Sequence, residues 1–356
     1  MSFEYKENVP VPHAREGRIR PIRKNGKGKT GDMKKRVLEQ SEIALTFEDV
    51  LILPGKTEVS PEQASVTSEV LKGIYLPFPF LASPMSSVWS FSLWSFLAEM
   101  GGLAPIPFTC SLEEMDALLK KAQQHLHKKK LASPIVVNVS PFETEKLEFL
   151  GSADLVDFIM LDSVQPYSDR VYAVVAQLCE RGFDDRVIVG NIATQAAAEF
   201  FCKLPLAALK VGLGSGSICT TRMVNGVGVP QITAIYDVKK VARGYGIPVI
   251  SDGGIRSLGD ISKAIAAGAD SIMLGRIFAS TLESAAKLVI VQNQKYKEYK
   301  ASYYPSLENG LGEAPNPVKK FQAELKKRNH RFEGVSGLVP CSGPCQFVLL
   351  SLRKAL

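Results

Sequence analysis

Short apolar runs alternate with longer amphipathic stretches from residue 77 onward. The runs are continuously hydrophobic, as expected of strands that are buried on both faces. The stretches between them place apolar residues three and four positions apart, which predicts helices. The eight predicted strands span residues 78–82, 101–106, 134–139, 155–161, 186–189, 207–211, 248–251 and 271–274. The clearest predicted helices span residues 93–100, 112–128, 168–181, 195–203 and 260–267.

Eight successive strand and helix units predict an α/β fold, a parallel (β/α)8 barrel of the TIM type. A doubly wound open sheet is the alternative, because it also alternates buried strands with helices. No Gly-x-Gly-x-x-Gly pattern follows the first strand, which argues against the dinucleotide-binding form of that open sheet.

Polar residues and glycines follow the predicted strands, where a barrel places its active site. They come from the ends of at least five strands, so we expect their side chains to converge at one face. These residues are Ser83 and Met85, Asp162 and Ser163, Asn191, Cys219, Asp252 with Gly254, and Gly275.

The loop after the sixth strand carries the most specific chemistry. Residues 212–221 read Gly-Leu-Gly-Ser-Gly-Ser-Ile-Cys-Thr-Thr. Glycines let a backbone approach a phosphate or a metal ion closely and adopt a positive φ. Cys219 adds a nucleophile beside that anion site, and Thr221 adds a hydroxyl two residues on. The loop therefore predicts covalent chemistry on a phosphorylated substrate.

The positive charge of the chain is confined to its N-terminal extension. The net charge is +7, and residues 1–36 hold eleven Lys or Arg against four Asp or Glu, which accounts for all of it. This segment has no periodic apolar face, so we expect a flexible extension. A contact with nucleic acid through this tail is the alternative, whereas the balanced remainder gives no such signal.

Composition predicts a cytoplasmic protein that does not span a membrane, with a peroxisome-like organelle as the alternative. Six scattered cysteines are typical of a reducing compartment, and no apolar run approaches the length of a membrane helix. The last residues, Lys354-Ala355-Leu356, resemble a peroxisomal Ser-Lys-Leu address only at the final position.

Four motifs resemble the IMP dehydrogenase/GMP reductase family over about residues 45–290. They are Leu-Thr-Phe-Glu-Asp-Val at 45–50, the cysteine loop at 214–222, Gly-Val-Gly-Val-Pro-Gln at 226–231, and Ser-Asp-Gly-Gly-Ile-Arg at 251–256. Only residues 121–133 occupy the place where many members insert CBS modules, so none is expected. The resemblance implies one barrel domain over residues 37–356, with a mobile flap at about 296–335.

The resemblance leaves two reactions open. The dehydrogenase branch oxidises IMP to XMP with NAD through a cysteine-linked intermediate, and the reductase branch deaminates GMP with NADPH. Leu161-Asp162-Ser163, Val229 and Gly254-Ile255 are closer to the dehydrogenase branch. A third hypothesis is a paralogue that binds a nucleotide but is catalytically impaired.

The family's roles can be carried onto matching residues. Cys219 would attack C2 of the purine, with Thr221, Glu333 and Lys319 assisting hydrolysis. The expected substrate contacts are Ser83, Met85, Ser217, Asp252, Gly254, Gly275 and Tyr299, and the expected cofactor contacts are Asp162, Ser163, Asn191 and Gly212. The carbonyls of Gly214, Gly216 and Cys219 would hold a monovalent cation such as K+. The resemblance also implies a homotetramer acting on a purine nucleoside monophosphate.

Several positions depart from the family pattern. Lys319 and Lys320 stand where the dehydrogenase has an Arg-Tyr pair, and lysine lacks the forked geometry of arginine. Tyr299 begins a stretch that has lost both of the family's glycines. Arg276 replaces the serine that follows the last strand, where it would either hold phosphate or fill the pocket.

Overall fold

The protein is described by a computed structural model that covers residues 17–18, 42–56, 60, 63–301, 336–354 and 356. Most of the predicted N-terminal extension, and residues 302–335 of the predicted flap, lie outside the described residues.

Eight parallel strands form one curled sheet around a central axis. Their order is β5-β12-β11-β10-β9-β8-β7-β6, so that each strand lies beside its neighbour in sequence and β12 returns to β5. The ring closes where Leu103, just before β6, bridges to Leu81 of β5 in parallel. This confirms the predicted (β/α)8 barrel. The barrel strands are β5 Phe80–Ala82, β6 Ile106–Pro107, β7 Val136–Val139, β8 Phe158–Asp162, β9 Val187–Ile192, β10 Ala208–Val211, β11 Val249–Asp252 and β12 Ser271–Leu274.

Alternate residues of each strand face the inside and the outside of the barrel. On β8, Phe158 and Met160 belong to the inner cluster, whereas Ile159 and Leu161 pack against the surrounding helices. Both sets are buried, which explains why the strands read as continuous apolar runs. The same alternation places Asp162, the last residue of β8, on the inner face at the mouth of the barrel.

The helices between the strands begin at side-chain caps. Ser90, Ser111, Ser168 and Thr194 each accept a hydrogen bond from a backbone N–H in the first turn of the helix that follows. None of the described helices is long and apolar enough to cross a membrane. The helices are α1 Phe91–Met100, α2 Leu112–Lys129, α3 Thr144–Ser152, α4 Asp169–Leu178, α5 Gln195–Phe201, α6 Thr221–Val224, α7 Gln231–Ala242, α8 Leu258–Ala266, α9 Arg276–Ala279 and α10 Cys345–Arg353.

The second strand is shorter and begins later than the sequence predicts. The expected strand covers residues 101–106, but only Ile106–Pro107 forms a regular ladder with β7. Pro105 and Pro107 have no N–H to donate, so the regular pairing of this segment is limited. Pairing of Leu103 with Leu81 replaces part of the missing ladder.

A hairpin closes the end of the barrel opposite the active-site loops. Strands β3 Ser68–Leu71 and β4 Ile74–Leu76 are antiparallel, and Val70, Leu71 and Leu76 complete the inner cluster. The preceding segment follows the outside of the barrel, where the Lys263 ammonium donates to the Phe47 carbonyl. Nearer the N-terminus, β1 Gly17–Arg18 pairs with β2 Glu42–Ile43.

A three-stranded antiparallel sheet follows the barrel, and the sequence pattern does not predict it. It contains β13 Leu288–Val291, β14 Gln294–Lys300 and β15 Ser336–Pro340. Residues 296–300 of the expected flap belong to β14, and this strand contacts α9 beside the last barrel strand. The sheet therefore brings Tyr299, a residue far from the barrel loops in sequence, to the barrel mouth.

Candidate active site

A cleft of about 240 Å³ opens at the carboxyl ends of the barrel strands. This is the face where the sequence predicts the active site. Thirteen of the predicted site residues line it: Ser83, Met85, Asn191, Gly212, Gly214, Gly216, Ser217, Cys219, Thr221, Asp252, Gly254, Gly275 and Tyr299. Residues from five strand ends and from β14 therefore meet in one cleft.

The cysteine loop follows β10 and is shaped by its glycines. Gly212 has φ +149°, and a Cβ there would overlap the Asp252 carbonyl oxygen. Gly214 has φ +78° and faces the Val227 carbonyl. A side chain at Gly212 would push the loop away from β11, so this glycine is needed for the close approach of the two strand ends.

Cys219 stands partly exposed at the wall of the cleft. Its backbone N–H donates to the Gly216 carbonyl at 3.1 Å, which holds the turn of the loop. Its thiol donates to the Thr221 hydroxyl oxygen, with Sγ 3.2 Å from Oγ1. Thr221 is buried, so it fixes the thiol at the edge of the cleft while Sγ remains accessible to a ligand.

A buried lysine joins the predicted substrate and cofactor residues. Lys210 of β10 faces the inside of the barrel, and its ammonium donates to Asp162 Oδ1 at 3.0 Å and to Asp252 Oδ2 at 3.1 Å. It also donates to Asn191 Oδ1. All three ammonium protons therefore have an acceptor. Asn191 in turn donates to Asp252 Oδ2 at 2.9 Å and to the Gly212 carbonyl at 2.7 Å.

The positive charge of Lys210 is stabilised by its two carboxylate partners, Asp162 and Asp252. The Lys210 side chain is 2% exposed, whereas those of Asp162 and Asp252 are 38% and 20% exposed. Burial opposes the ammonium charge, but the fields of Asp162 and Asp252 outweigh it and raise the pKa of Lys210. The group therefore stays charged at neutral pH and fixes both carboxylates toward the barrel mouth.

Sequence reasoning missed Lys210 and the role of Gln231 beneath the loop. Gln231 is buried at the start of α7, and its Nε2 lies 2.9 Å from the Val211 carbonyl and 3.3 Å from the Asp252 carbonyl. It thus ties the ends of β10 and β11 together. The signal for Lys210 was present, because a lysine inside an apolar strand needs a buried partner.

The other end of the cleft is built from Gly275, Tyr299 and Met85. The Tyr299 hydroxyl lies 3.5 Å from Met85 Sδ, and a Cβ at Gly275 would overlap that hydroxyl. Burial raises the pKa of Tyr299 well above its ordinary value and the Asp252 charge adds to this, while a hydrogen bond with Ser217 acts against both. Tyr299 therefore remains a neutral phenol at the predicted phosphate end.

The predicted cofactor residues lie on the opposite side of the cleft. Asn191 and Gly212 line the cleft, whereas Asp162 and Ser163 are not among its lining residues, and Asp162 is linked to Asp252 and Asn191 through Lys210. Lys210 donates to Asp162 Oδ1, and among the described residues Asp162 Oδ2 has no hydrogen-bond partner. A part-exposed carboxylate oxygen of this kind fits a ribose hydroxyl, so the residues present are compatible with a nucleotide cofactor.

Two parts of the sequence prediction are not tested by this geometry. Lys319 and Glu333 lie outside the described residues. The carbonyls of Gly214, Gly216 and Cys219 stay a predicted cation site, with the Gly216 carbonyl already accepting from Cys219. In the described part of the chain, no group of three His, Cys, Asp or Glu residues could hold a metal ion.

Replacing Lys210 tests whether its charge holds the two carboxylates together. We expect Lys210→Met to lower the free energy of unfolding by about 3 kcal/mol or more, since it leaves two neighbouring carboxylates without their cation. Adding Asp162→Asn and Asp252→Asn should recover part of this loss. Urea denaturation of the single and triple variants measures both effects, and an equal loss in both variants would assign it to packing instead.

Replacing Gly275 tests the contact with Tyr299. We expect Gly275→Ala to cost about 1–3 kcal/mol of stability, because its methyl group overlaps the Tyr299 hydroxyl. In a Tyr299→Phe background the nearest ring carbon would be 3.4 Å away, so the added cost should shrink. Thermal unfolding of the unaltered protein, the two single variants and the double variant measures how far the cost of Gly275→Ala depends on the Tyr299 hydroxyl. Gly244→Ala, with open space around it, is the matched control, and equal costs in both backgrounds would contradict the contact.

Comparisons with known proteins agree with the motifs. The family model described as IMP dehydrogenase / GMP reductase domain matches residues 44–356. The inosine-5'-monophosphate dehydrogenase of Borreliella burgdorferi is 33% identical over 88% of this chain and 88% of its own length. That of Cryptosporidium parvum is 32% identical over 88% and 86%, and that of Methanocaldococcus jannaschii is 41% identical over 67% and 49%. The chain belongs to the IMP dehydrogenase/GMP reductase family.

Proposed function

We propose that this protein oxidises IMP to XMP with a nicotinamide cofactor, through a covalent bond between Cys219 and C2 of the purine. The observation that carries the proposal is the accessible Cys219 thiol, which is fixed by Thr221 in the cleft that also holds Asp252. Family membership makes the protein an oxidoreductase that acts on a purine nucleotide. The relatives compared above are each named IMP dehydrogenase, which favours this reaction over GMP reduction.

The substrate would lie with its ribose near Asp252 and its phosphate near Gly275. Asp252 Oδ2 is engaged by Lys210 and Asn191, so Oδ1 is left to accept from ribose hydroxyls. Ser217 and the backbone of Gly254 and Gly275 line the phosphate end. With the ribose and phosphate held, the base is directed toward Cys219, and this orientation supplies much of the catalytic advantage.

The cofactor side would be held by Asp162, Asn191 and Gly212. Asp162 Oδ2 is suited to a cofactor ribose, and Lys210 keeps that carboxylate turned toward the cleft. Cys219 would release its thiol proton to solvent and bond to C2 through Sγ, and the nicotinamide, when bound, would accept the hydride that C2 gives up. Lys210 contacts both Asp162 and Asp252, so one side chain sets the relative position of the two ligands.

Hydrolysis would complete the reaction. Water adds to C2, the C–S bond breaks, the thiol of Cys219 regains its proton, and XMP leaves. Thr221 lies next to the sulfur and would order the attacking water, together with Glu333 and Lys319 from the segment outside the described residues. The monovalent cation, the homotetramer and any contact of the basic extension with nucleic acid remain predictions.

Absorbance of the reduced nicotinamide tests this function. Rapid mixing with IMP and NAD should give a burst of reduced cofactor that is absent in Cys219→Ala, because no C2–S bond can form. A burst without turnover would locate a defect in hydrolysis. Cys110→Ala is the matched control and should retain the burst, because Cys110 does not line the cleft. An absent signal with IMP, combined with oxidation of NADPH by GMP, would instead assign the reductase reaction.

A further inference from the structure

Arg276 stands at the phosphate end of the cleft, where the family's pattern has a serine. It follows Gly275 directly after β12 and lines the cleft with Ser217, Gly254 and Tyr299. Its side chain is exposed and does not pack in the core. Burial raises the pKa of Tyr299, and the charge of Arg276 acts in the opposite direction.

One negative and one positive side chain line the cleft, and in the described part of the chain only the negative one has a charged partner. Among its lining residues, Asp252 carries the negative charge and Arg276 the positive one. Asp252 already has Lys210 as its partner, with Oδ2 at 3.1 Å from the ammonium. Within the described residues, Arg276 takes part in no ion pair, unlike Arg256, which is bound to Glu48 at 2.7 Å. The phosphate end therefore has an uncompensated cation.

We propose that Arg276 binds the 5'-phosphate of the nucleotide and makes this site selective for the dianionic phosphate group. The inference rests on the proposed function, because it takes the bound ligand to be a nucleoside monophosphate. A guanidinium can donate two parallel hydrogen bonds to phosphate oxygens, whereas a serine hydroxyl donates one and carries no charge. This makes Arg276 a specificity-determining residue of this chain.

The residues beside Arg276, Tyr299 and Gly275, leave room for a phosphate to contact its guanidinium. The Tyr299 hydroxyl lies 3.5 Å from Met85 Sδ at the floor of the site, and as a neutral phenol it adds no negative charge there. Gly275 has no side chain to separate Arg276 from Tyr299. The phosphate would then lie between a charged donor on one side and hydroxyl or backbone donors on the other, an arrangement typical of anion sites.

Binding of IMP and of inosine, which lacks the phosphate, tests the proposal. Measured by calorimetry at pH 7.5, Arg276→Ser should weaken IMP binding by about 10- to 100-fold and change inosine binding less than about twofold. Arg276→Lys should fall between these values, since lysine keeps the charge without the fork. IMP binding by the unaltered protein should also weaken more steeply with added salt than that of Arg276→Ser.

A pH series separates a dianion contact from a general role. The second phosphate pKa is about 6, so the affinity of the unaltered protein for IMP should fall between pH 7.5 and 5.5. Arg276→Ser should show a smaller fall. Arg243→Ser, at the other end of the barrel, is the matched control and should bind IMP normally.

Three results would overturn the inference, each in a different way. If the unaltered protein binds IMP and Arg276→Ser binds it equally well, the arginine has no role and the proposed function is unaffected. Equal losses of IMP and inosine affinity would show that Arg276 shapes the pocket and does not contact phosphate. If the unaltered protein binds neither ligand, the proposed function fails and the inference fails with it.

Discussion

The site depends on one buried positive charge at the mouth of the barrel. Lys210 is almost fully enclosed, and an enclosed ammonium is costly unless it is paired and its protons are all accepted. Asp162, Asn191 and Asp252 meet that requirement from three other strands. Because each of these acceptors also belongs to the predicted ligand sites, the interaction that satisfies Lys210 also fixes the predicted substrate and cofactor residues relative to one another.

The close approach of the ends of β10 and β11 is a second constraint, and it follows from the pairing of Lys210 with Asp252. Strands β10 and β11 must end near one another for Lys210 and Asp252 to meet. Gly212 permits this approach, because a side chain there would overlap the Asp252 carbonyl. Gln231 then ties the same two strand ends together through the carbonyls of Val211 and Asp252. The cysteine loop begins at the end of β10, which Gln231 holds against β11. The position of Cys219 therefore depends on residues outside its own loop.

The proposed phosphate end of the cleft is assembled differently. Its floor comes from the last barrel strand and from β14, a strand of the additional sheet. Tyr299 fits only because Gly275 has no side chain, and its hydroxyl is directed toward Met85 and Ser217. Arg276 adds a charge to this end alone. The proposed ribose side of the cleft is thus fixed inside the barrel, and the proposed phosphate side combines Gly275 and Tyr299 with the charge of Arg276.

The barrel and much of the site could be predicted from the sequence, because strands buried on both faces are continuously apolar and the active-site loops follow them. The cysteine loop, Asp252 and Asn191 were found this way. Lys210 was missed because it lies inside a strand, although Ala208 and Lys210 share one face of β10 and Lys210 is nearest the barrel mouth. The short β6 and the sheet that carries Tyr299 were also missed. Proline limits the first. In the second, β13 is a short apolar run like those of the barrel but is largely exposed, and β14 is mostly polar, so the pattern of buried strands does not identify this sheet.

The mass of the peptide that contains Cys219, measured after the protein is quenched during reaction with IMP and NAD, decides whether the covalent intermediate forms. We expect a mass increase equal to IMP less the thiol proton and the hydride, present only when both ligands are added. An unmodified Cys219 peptide in samples that have already produced reduced cofactor, or the same adduct on Cys219→Ala, would contradict it.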